Sequence, residues 1–397
     1  MMQVFNNPST IIITCNQRLS PYLQAEVERL GYTVKRVFAT GLELEGSVND
    51  CIKLNLNLFC ASQILYRIKH FVAYHADDLY HQTKSIPWEE LIDFNGYFSV
   101  TSNVNNDTIQ TPLFANLKVK DAIVDRIKEK KGVRPNSGPE LNRAVVHLYW
   151  QNEQVDLYID TSGETLAKHR YRKNPGQAPM LEALASAVLF ATNWDRESTF
   201  INPMCGSGTL AIEAALLATD RRPGLFRMNY GFMHIQGFDE QVFSSERKRL
   251  KSQINRNQPL HIIASDISPK AVEVAKANAK TAGIDGLIDF EVCDFAETTV
   301  PTLPGIVIFN PEYGERLGNE QDLEHTYRRI GDFLKQRCKG YRGFVFTANP
   351  ALAKKIGLKA SAKIPFYNGK LDSRMFCYDL YEGSKRKEQS NNTNNQE

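Results

Sequence analysis

The stretch Ile306-Val307-Ile308-Phe309-Asn310-Pro311-Glu312-Tyr313-Gly314 decides how the C-terminal half of the chain is read. Ile306 to Phe309 are continuously apolar and β-prone, as in a strand buried on both faces, and Pro311 has no amide hydrogen with which to continue a ladder. The chain is therefore expected to leave the sheet at Asn310. Asn310 to Tyr313 then fall in the crevice beyond the carboxyl end of the strand, where open α/β sheets hold ligands. An Asn-Pro-x-Tyr turn in such a place suggests chemistry on a flat amino group.

Upstream, Phe200-Ile201 runs into Asn202-Pro203-Met204-Cys205-Gly206-Ser207-Gly208-Thr209 and then into the helix-forming Leu210 to Ala218, a strand, a glycine turn and a helix. Gly206 and Gly208 would let the backbone approach a ligand, and the helix N-terminus would offer amide hydrogens to a negative group; a tight structural turn has the same composition. Leu260 to Ala264 reads as a second strand ending in Ser265-Asp266. Ser268-Pro269 then supplies an N-cap and a proline at the first helical position, for a helix running to Gly283. Leu287 to Cys293 reads as a third strand, ending in Asp294-Phe295. Gly-Ser-Gly, Asp266, Asp294 and Asn310 thus share one edge of a sheet. A carboxylate at Asp266 can accept both hydroxyls of a ribose, and Asp294 and Phe295 stand where an adenine amine and ring face would sit. Any one of these aspartates, taken alone, could equally be a helix cap.

A nicotinamide dinucleotide site is the rival for this pattern. Its ribose-binding acid is expected about 20 residues after the glycines, whereas Asp266 lies 58 residues beyond Gly208, across a segment with Arg221-Arg222-Pro223 that reads as inserted helices. Ile364 to Tyr367, Asn368-Gly369 and Met375 to Leu380 read as a closing antiparallel hairpin. Parallel strands closed by such a hairpin are the pattern of class I S-adenosylmethionine-dependent methyltransferases.

The front of the chain reads differently. Residues 1–65 alternate a strand (Ile11 to Thr14), a helix (Pro21 to Leu30) and further β-like text (Val34 to Phe38), a small α+β unit. Residues 66–165 place a helix with apolar Val119, Ile123 and Ile127 among strands at Tyr97 to Thr101, Ala144 to Trp150 and Val155 to Asp160, a second α+β unit. After Thr161-Ser162-Gly163-Glu164 the alternating α/β text begins and continues to residue 382. Residues 383–397 are polar, rich in Asn and Gln, and expected to be disordered.

With 397 residues and 42% hydrophobic content, two or three cores are expected. No apolar run approaches the ~18 residues of a membrane span, and the N-terminus lacks a signal-peptide pattern, so a cytoplasmic protein is expected. Cys15, Cys51, Cys60, Cys205, Cys293, Cys338 and Cys377 are odd in number and contain no Cys-x-x-Cys pair, which favours reduced thiols over a disulfide framework. His70, His75 and His81 lack partners at ligand spacing, and no metal is expected. The net charge of +3 does not by itself point to nucleic acid, but from Asn116 to Arg143 eight basic residues face four acids. That run suits either phosphate contact or a solvated helix face.

Together these motifs resemble those of bacterial THUMP-domain RNA methyltransferases that make N2-methylguanosine in large-subunit ribosomal RNA. Asn202 to Thr209 is similar to their Asp-Pro-Met-Cys-Gly-Ser-Gly-Thr loop. Asn310 to Leu317 is similar to their Asn-Pro-Pro-Tyr-Gly-Glu-Arg-Leu turn. Lys120 to Lys131 with Ile159 to Glu164 resembles the THUMP module and its exit, and His169 to Arg172 with Ala178-Pro179 resembles the element closing over the cofactor. The resemblance implies a ferredoxin-like domain at 1–65, a THUMP domain at 66–165 and a Rossmann-like methyltransferase domain at 166–382. It implies S-adenosylmethionine held by Asn202, Met204, Cys205, Gly206, Ser207, Gly208, Thr209, Asp266, Ile267, Asp294 and Phe295. It further implies a target base held by Asn310, Pro311 and Tyr313, and RNA contacts from Lys118, Lys120, Lys128, Lys130, Lys131 and Arg316. The substrate expected is a guanine N2 in 23S ribosomal RNA, free or in a pre-ribosomal particle, with transfer RNA, an adenine N6, or a non-catalytic RNA-binding assembly role as alternatives. Two departures stand out. Asn202 replaces the aspartate, and is expected to accept a hydrogen bond in its place; Glu312 replaces the second proline, loosening the turn and adding a carboxylate.

Overall fold

The computed structural model describes residues 5, 7–109, 111–173, 180–256, 258–312 and 320–381. These divide into two compact units. The first comprises described residues of Met1–Arg170, Glu182–Ala187 and Asp220–Ile254, and the second those of Tyr171–Leu181, Val188–Thr219 and Asn255–Glu397.

In the first unit, strands β1 (Ser9–Thr14), β2 (Val34–Phe38), β3 (Gly41–Gly46), β4 (Gln63–Val72), β5 (Tyr97–Asn105), β6 (Asn136–Ser137), β7 (Ala144–Gln151) and β8 (Gln154–Asp160) form one sheet, ordered β2-β3-β1-β4-β8-β7-β5-β6. Its helices are α1 (Ser20–Arg29), α2 (Val48–Asn57), α3 (Ala76–Lys84) and α4 (Pro112–Lys131). β4 runs through the junction expected at residues 65 and 66, pairing with β1 on one side and β8 on the other, so both α+β sets share a sheet. Ile11 and Ile13 of β1 and Leu42 and Leu44 of β3 alternate into the core, the period of a half-buried strand. α4 begins with Pro112 in its first turn and ends at left-handed Gly132, and Val119, Ile123 and Ile127 form its buried stripe, as their spacing predicts.

In the second unit, β9 (Thr199–Pro203), β10 (Ile262–Asp266), β11 (Ile288–Val292), β12 (Gly305–Phe309), β13 (Arg342–Thr347), β14 (Ala362–Asn368) and β15 (Leu371–Asp379) are ordered β11-β10-β9-β12-β13-β15-β14. β9 to β13 are parallel, and β15 runs antiparallel between β13 and β14. The closing hairpin turns through Gly369-Lys370, with Asn368 opposite Leu371. This is the mixed sheet of a class I methyltransferase fold, behind ferredoxin-like and THUMP domains, the fold class read from the sequence. Helices α5 (Glu182–Ala191), α6 (Thr209–Ala218), α7 (Glu240–Gln253), α8 (Pro269–Ala282), α9 (Glu320–Arg337) and α10 (Pro350–Lys355) complete the chain. Ile201, Val307 and Phe309 of the central strands pack with Tyr327, Ile330, Phe333 and Leu334 of α9 in a dry core.

The segment between α6 and β10, expected as inserted helices, groups with the first unit and carries α7. Arg227 holds it there: its Nε donates to Asn229 O (2.9 Å), Nη1 to Thr165 O (3.2 Å), and Nη2 to Ser162 O (2.8 Å) and Glu164 O (2.6 Å). Only glycine fits at 231, since a Cβ there would lie 2.2 Å from Asp160 O. No described helix is long and apolar enough to cross a membrane. None of the seven cysteines, all of them among the described residues, forms a disulfide, and five are buried.

Candidate active site at the carboxyl edge of the second sheet

Strand order reverses between β9 and β12: from β9 the chain proceeds outward through β10 and β11, then returns to the other side of β9 with β12. Ligands of open α/β sheets sit at such a switch point. The loop after β9 and the turn after β12 are therefore neighbours on the binding edge.

The β9 loop is built as a tight hook. Cys205 N donates to Ser265 O and Gly208 N to Cys205 O, each at 2.9 Å. Met204 takes a left-handed φ of 56°, uncommon for a residue with a side chain. Gly208, at φ 80°, also permits close packing, because a Cβ there would meet Ala275 Cβ of α8 at 2.9 Å. A Cβ at Gly206 would meet nothing within 4 Å, so that side of the loop is open. Ser207 O accepts from Asn278 (3.2 Å), and Thr209 Oγ1 accepts from Arg172 Nη2 (3.0 Å), a guanidinium that also donates to Met180 O. Burial pushes the Cys205 thiol up to about 12, with the Asp266 charge adding to it, so it stays neutral.

Asp266 accepts from Gly206 N through Oδ2 and from Ser268 N through Oδ1, both at 2.9 Å. A carboxylate has about four acceptor sites, so about two remain for hydroxyl donors. Ile267 beside it is 70% exposed, an apolar surface at the edge. Ser268 caps α8 as its sequence predicts, accepting from Ala271 N, and the helix ends at left-handed Gly283.

Asp294 accepts from Ala296 N (2.9 Å) and pairs with Arg329 of α9 (2.6 Å). Burial opposes its ionisation, but Arg329 and the Ala296 amide outweigh that and hold it below the usual carboxylate range. Phe295 is 7% exposed, its ring edge-on to Phe309 and Phe333 with the Arg329 guanidinium 4.8 Å from its centre. Arg329 itself carried no sequence signal, because one arginine on an amphipathic helix reads as solvent-facing.

Asn202 anchors the loop, but as a donor rather than the expected acceptor among the described residues. Its amide nitrogen donates to Ile308 O on β12 (3.0 Å), a bond that an aspartate could not make, and its Oδ1 is buried without a partner among the described residues. It ties the glycine loop to the strand that carries the turn. On that strand, Pro311 is buried, Asn310 is half-buried with its Oδ1 shielded and unpartnered among the described residues, and Glu312 is exposed. A shielded amide oxygen with no donor is unfavourable by ~1–3 kcal/mol unless a ligand supplies one. Tyr313 and Arg316 lie outside the described residues, as do Ala178-Pro179 and the tail at 383–397. The edge thus offers unused acceptors, an apolar ledge and an open glycine loop, a donor set that fits a nucleoside-type cofactor beside an amine.

The predicted RNA-contacting lysines lie on α4 of the first unit. Lys118 pairs with Asp77 (3.2 Å) and Lys120 with Asp121 (2.8 Å), while Arg126 makes a two-pronged contact with Glu89. Lys128, Lys130 and Lys131 are exposed in the last turn, where cations also suit the helix dipole.

Three family models match along the chain: a RlmL ferredoxin-like domain over residues 10–65, a THUMP domain over 73–160, and an "RMKL-like, methyltransferase domain" over 169–376. The "Ribosomal RNA large subunit methyltransferase K/L" of Syntrophotalea carbinolica is 34% identical over 385 residues, 94% of this chain and 54% of the relative. The chain spans about half the length of the curated K/L relatives it matches. A protein of Synechocystis named "Putative RNA methyltransferase slr0064" is 33% identical, with 81% of this chain and 84% of the relative aligned. Among solved structures, a "predicted N6-adenine-specific DNA methylase" from Listeria monocytogenes superposes with a TM-score of 0.85 at 31% identity, covering 94% of this chain and 97% of that one. The chain belongs to the RMKL-like methyltransferase-domain family, with RlmL ferredoxin-like and THUMP domains in front of the catalytic fold.

Proposed function

We propose that the chain is an RNA methyltransferase that moves a methyl group from S-adenosylmethionine to the exocyclic N2 of a guanine in large-subunit ribosomal RNA, acting in the cytoplasm. The observation that carries the reading is the shielded Oδ1 of Asn310 after β12, unpartnered among the described residues and beside the glycine loop. An exocyclic purine amine is a weak nucleophile because its lone pair is delocalised into the ring. It needs acceptors that fix its hydrogens and leave the lone pair pointing at the electrophile. Asn310 Oδ1 and the Pro311 carbonyl are those acceptors, and Tyr313 stacks on the flipped base.

When bound, S-adenosylmethionine supplies a methyl group made electrophilic by a positively charged sulfur. Asn202 and Met204 to Thr209 hold its amino-acid end, Asp266 its ribose hydroxyls, and Ile267, Asp294 and the backbone of Phe295 its adenine. The exposed Glu312 carboxylate accepts from the N1 and N2 edge of guanine; improved turnover in Glu312→Pro would contradict that role. Lys118, Lys120, Lys128, Lys130, Lys131 and Arg316 contact phosphates rather than bases.

The ribosomal RNA substrate is supported by the names of the K/L relatives. An adenine-N6 reading is favoured by the name of the Listeria protein. The test is incubation with methyl-labelled S-adenosylmethionine and RNA lacking native modifications, followed by nucleoside mass analysis. Labelled N2-methylguanosine in ribosomal RNA is expected. N6-methyladenosine would move the target to adenine, and label only in transfer RNA would move the substrate. No label with cofactor binding intact would favour a non-catalytic RNA-binding assembly factor.

A further inference from the structure

Tyr327 is the eighth residue of α9, fifteen residues beyond Glu312 in sequence, and is 0% exposed. Its hydroxyl is 3.3 Å from the backbone carbonyl of Glu312 and 2.9 Å from Thr347 Oγ1, at the end of β13. Thr347 Oγ1 in turn accepts from Asn349 N at 3.0 Å, and Asn349 caps α10 by accepting from Ala351 N and Leu352 N. A tyrosine hydroxyl has one proton, and a carbonyl can only accept. The tyrosine hydroxyl is thus shared between two acceptors, Glu312 O and Thr347 Oγ1, and the Asn349 amide, donating to Thr347 Oγ1, extends the chain.

This chain runs through the interior. Thr347 is 1% exposed, and the Tyr327 ring packs in the dry core with Val307, Phe309 and Ile330. Low local dielectric strengthens the buried Tyr327–Thr347 bond, while the bond to Glu312 O is part-buried. At its far end it grips the third residue of the turn. Pro311 already fixes one backbone angle, and Asn202 anchors the strand before the turn through Ile308 O. The Glu312 carbonyl is the next fixed point along the backbone, so the Asn310 side chain and the Pro311 carbonyl lie between two tethers.

We propose that Tyr327, oriented by Thr347, is a positioning residue for methyl transfer: it fixes the Glu312 carbonyl and so aims the Asn310 and Pro311 acceptors at the target amine. The proposal rests on the reading of Asn310 and Pro311 as the amine acceptors. The tether acts on the turn after β12, so its effect is expected on the rate of transfer rather than on cofactor affinity.

The test compares wild type, Asn310→Ala, Tyr327→Phe, Thr347→Val and Thr347→Ser by single-turnover methyl transfer to unmodified RNA, by cofactor titration, and by amide hydrogen exchange of peptides covering residues 309–313. Tyr327→Phe and Thr347→Val are expected to lower the transfer rate at least tenfold, to leave cofactor Kd within twofold, and to speed exchange in the turn. Thr347→Ser, which keeps the hydroxyl, is expected to restore the rate. Full activity of Asn310→Ala would overturn the reading of the turn. An inactive Asn310→Ala beside a fully active Tyr327→Phe would overturn only the role of Tyr327. Should Tyr327→Phe not fold, the threonine pair decides between the same outcomes. Should wild type transfer no methyl to the RNA tested, unchanged exchange in the tyrosine and threonine variants would still refute the tether.

Discussion

Asp160 and Asp266 each end a strand, β8 in the first unit and β10 in the second, and each accepts hydrogen bonds from the backbone just after it. Asp160 is fully buried and takes three protein donors, Ser162 N (2.9 Å), Gly163 N (3.2 Å) and Gln63 Nε2 (2.7 Å). Burial pushes its carboxyl up to about 6, against the pull of those donors. Asp266 is half-buried and accepts from two backbone amides, one of them in the glycine loop, with acceptor sites left over. One aspartate closes a fold and the other keeps an opening. The residue type and its place after a strand are shared, so what separates them is the number of donors already supplied by the protein.

That contrast can be broken by crossing the two substitutions. Asp160→Ala would leave two backbone amides and a side-chain amide without an acceptor, at ~1–3 kcal/mol each. A loss of about 4 kcal/mol in urea denaturation is expected, with cofactor Kd in the remaining folded protein changed less than twofold. Asp266→Ala is expected to do the reverse. Under the proposed role, loss of two hydrogen bonds that ribose hydroxyls donate to a charged acceptor, about 1.5 kcal/mol each, weakens cofactor binding about 100-fold. Equal effects of both substitutions on cofactor affinity would erase the distinction.

A smaller effect sharpens the picture of the first unit as structural. His147 on β7 is buried, which pushes its imidazole down to about 4, and its Nδ1 lies 2.8 Å from Thr101 Oγ1. Between its ordinary value of 6.5 and about 4 the unfolded chain takes up a proton that the folded chain refuses. Its contribution is therefore present above pH 6.5 and lost as pH falls through that window, by up to ~3 kcal/mol. Asp160 acts oppositely, since its folded carboxyl keeps its proton up to about 6 and its contribution is lost as pH rises. Comparing wild type with His147→Gln isolates the histidine: their stability difference should shrink from pH 7 to pH 4, and a constant difference would refute the assignment. Smallest is the effect of replacing Lys128, Lys130 and Lys131 together by alanine. The slope of log affinity for RNA against log salt should fall by ~2, and an unchanged slope would leave these lysines as partners of the helix dipole alone.

Much of this edge could be read from the chain because its signals are local. Ser268, Pro269 and Gly283 mark both ends of α8, and the apolar run before Asn310 marks β12, because caps, prolines and strand patterns act within a few residues. The same holds for the buried stripe of α4. What escaped depends on partners remote in sequence. Arg329 reaches back to Asp294, Asn202 donates to a carbonyl on the neighbouring strand, and Tyr327 grips Glu312 from the next helix. The burial of the Phe295 ring also escaped, because an aromatic residue after a strand reads the same whether its ring faces out or into the core. β4 joins two α+β sets that composition separates, since strand pairing is a tertiary outcome. The grouping of Asp220–Ile254 with the first unit depends on Arg227 finding carbonyls at Ser162, Glu164 and Thr165, which no local pattern announces.

The central claim is that cofactor binding and amine alignment are separate tasks of adjacent strand ends, the first assigned to the β9 and β10 loops and the second to the turn after β12. Asn310→Ala tests it most directly, with S-adenosylmethionine Kd measured by calorimetry and methyl transfer to unmodified RNA measured in a single turnover on the same preparation. The account predicts a Kd within twofold of wild type and a transfer rate reduced at least 100-fold. Transfer at the wild-type rate, or loss of cofactor binding in parallel with loss of transfer, would contradict it.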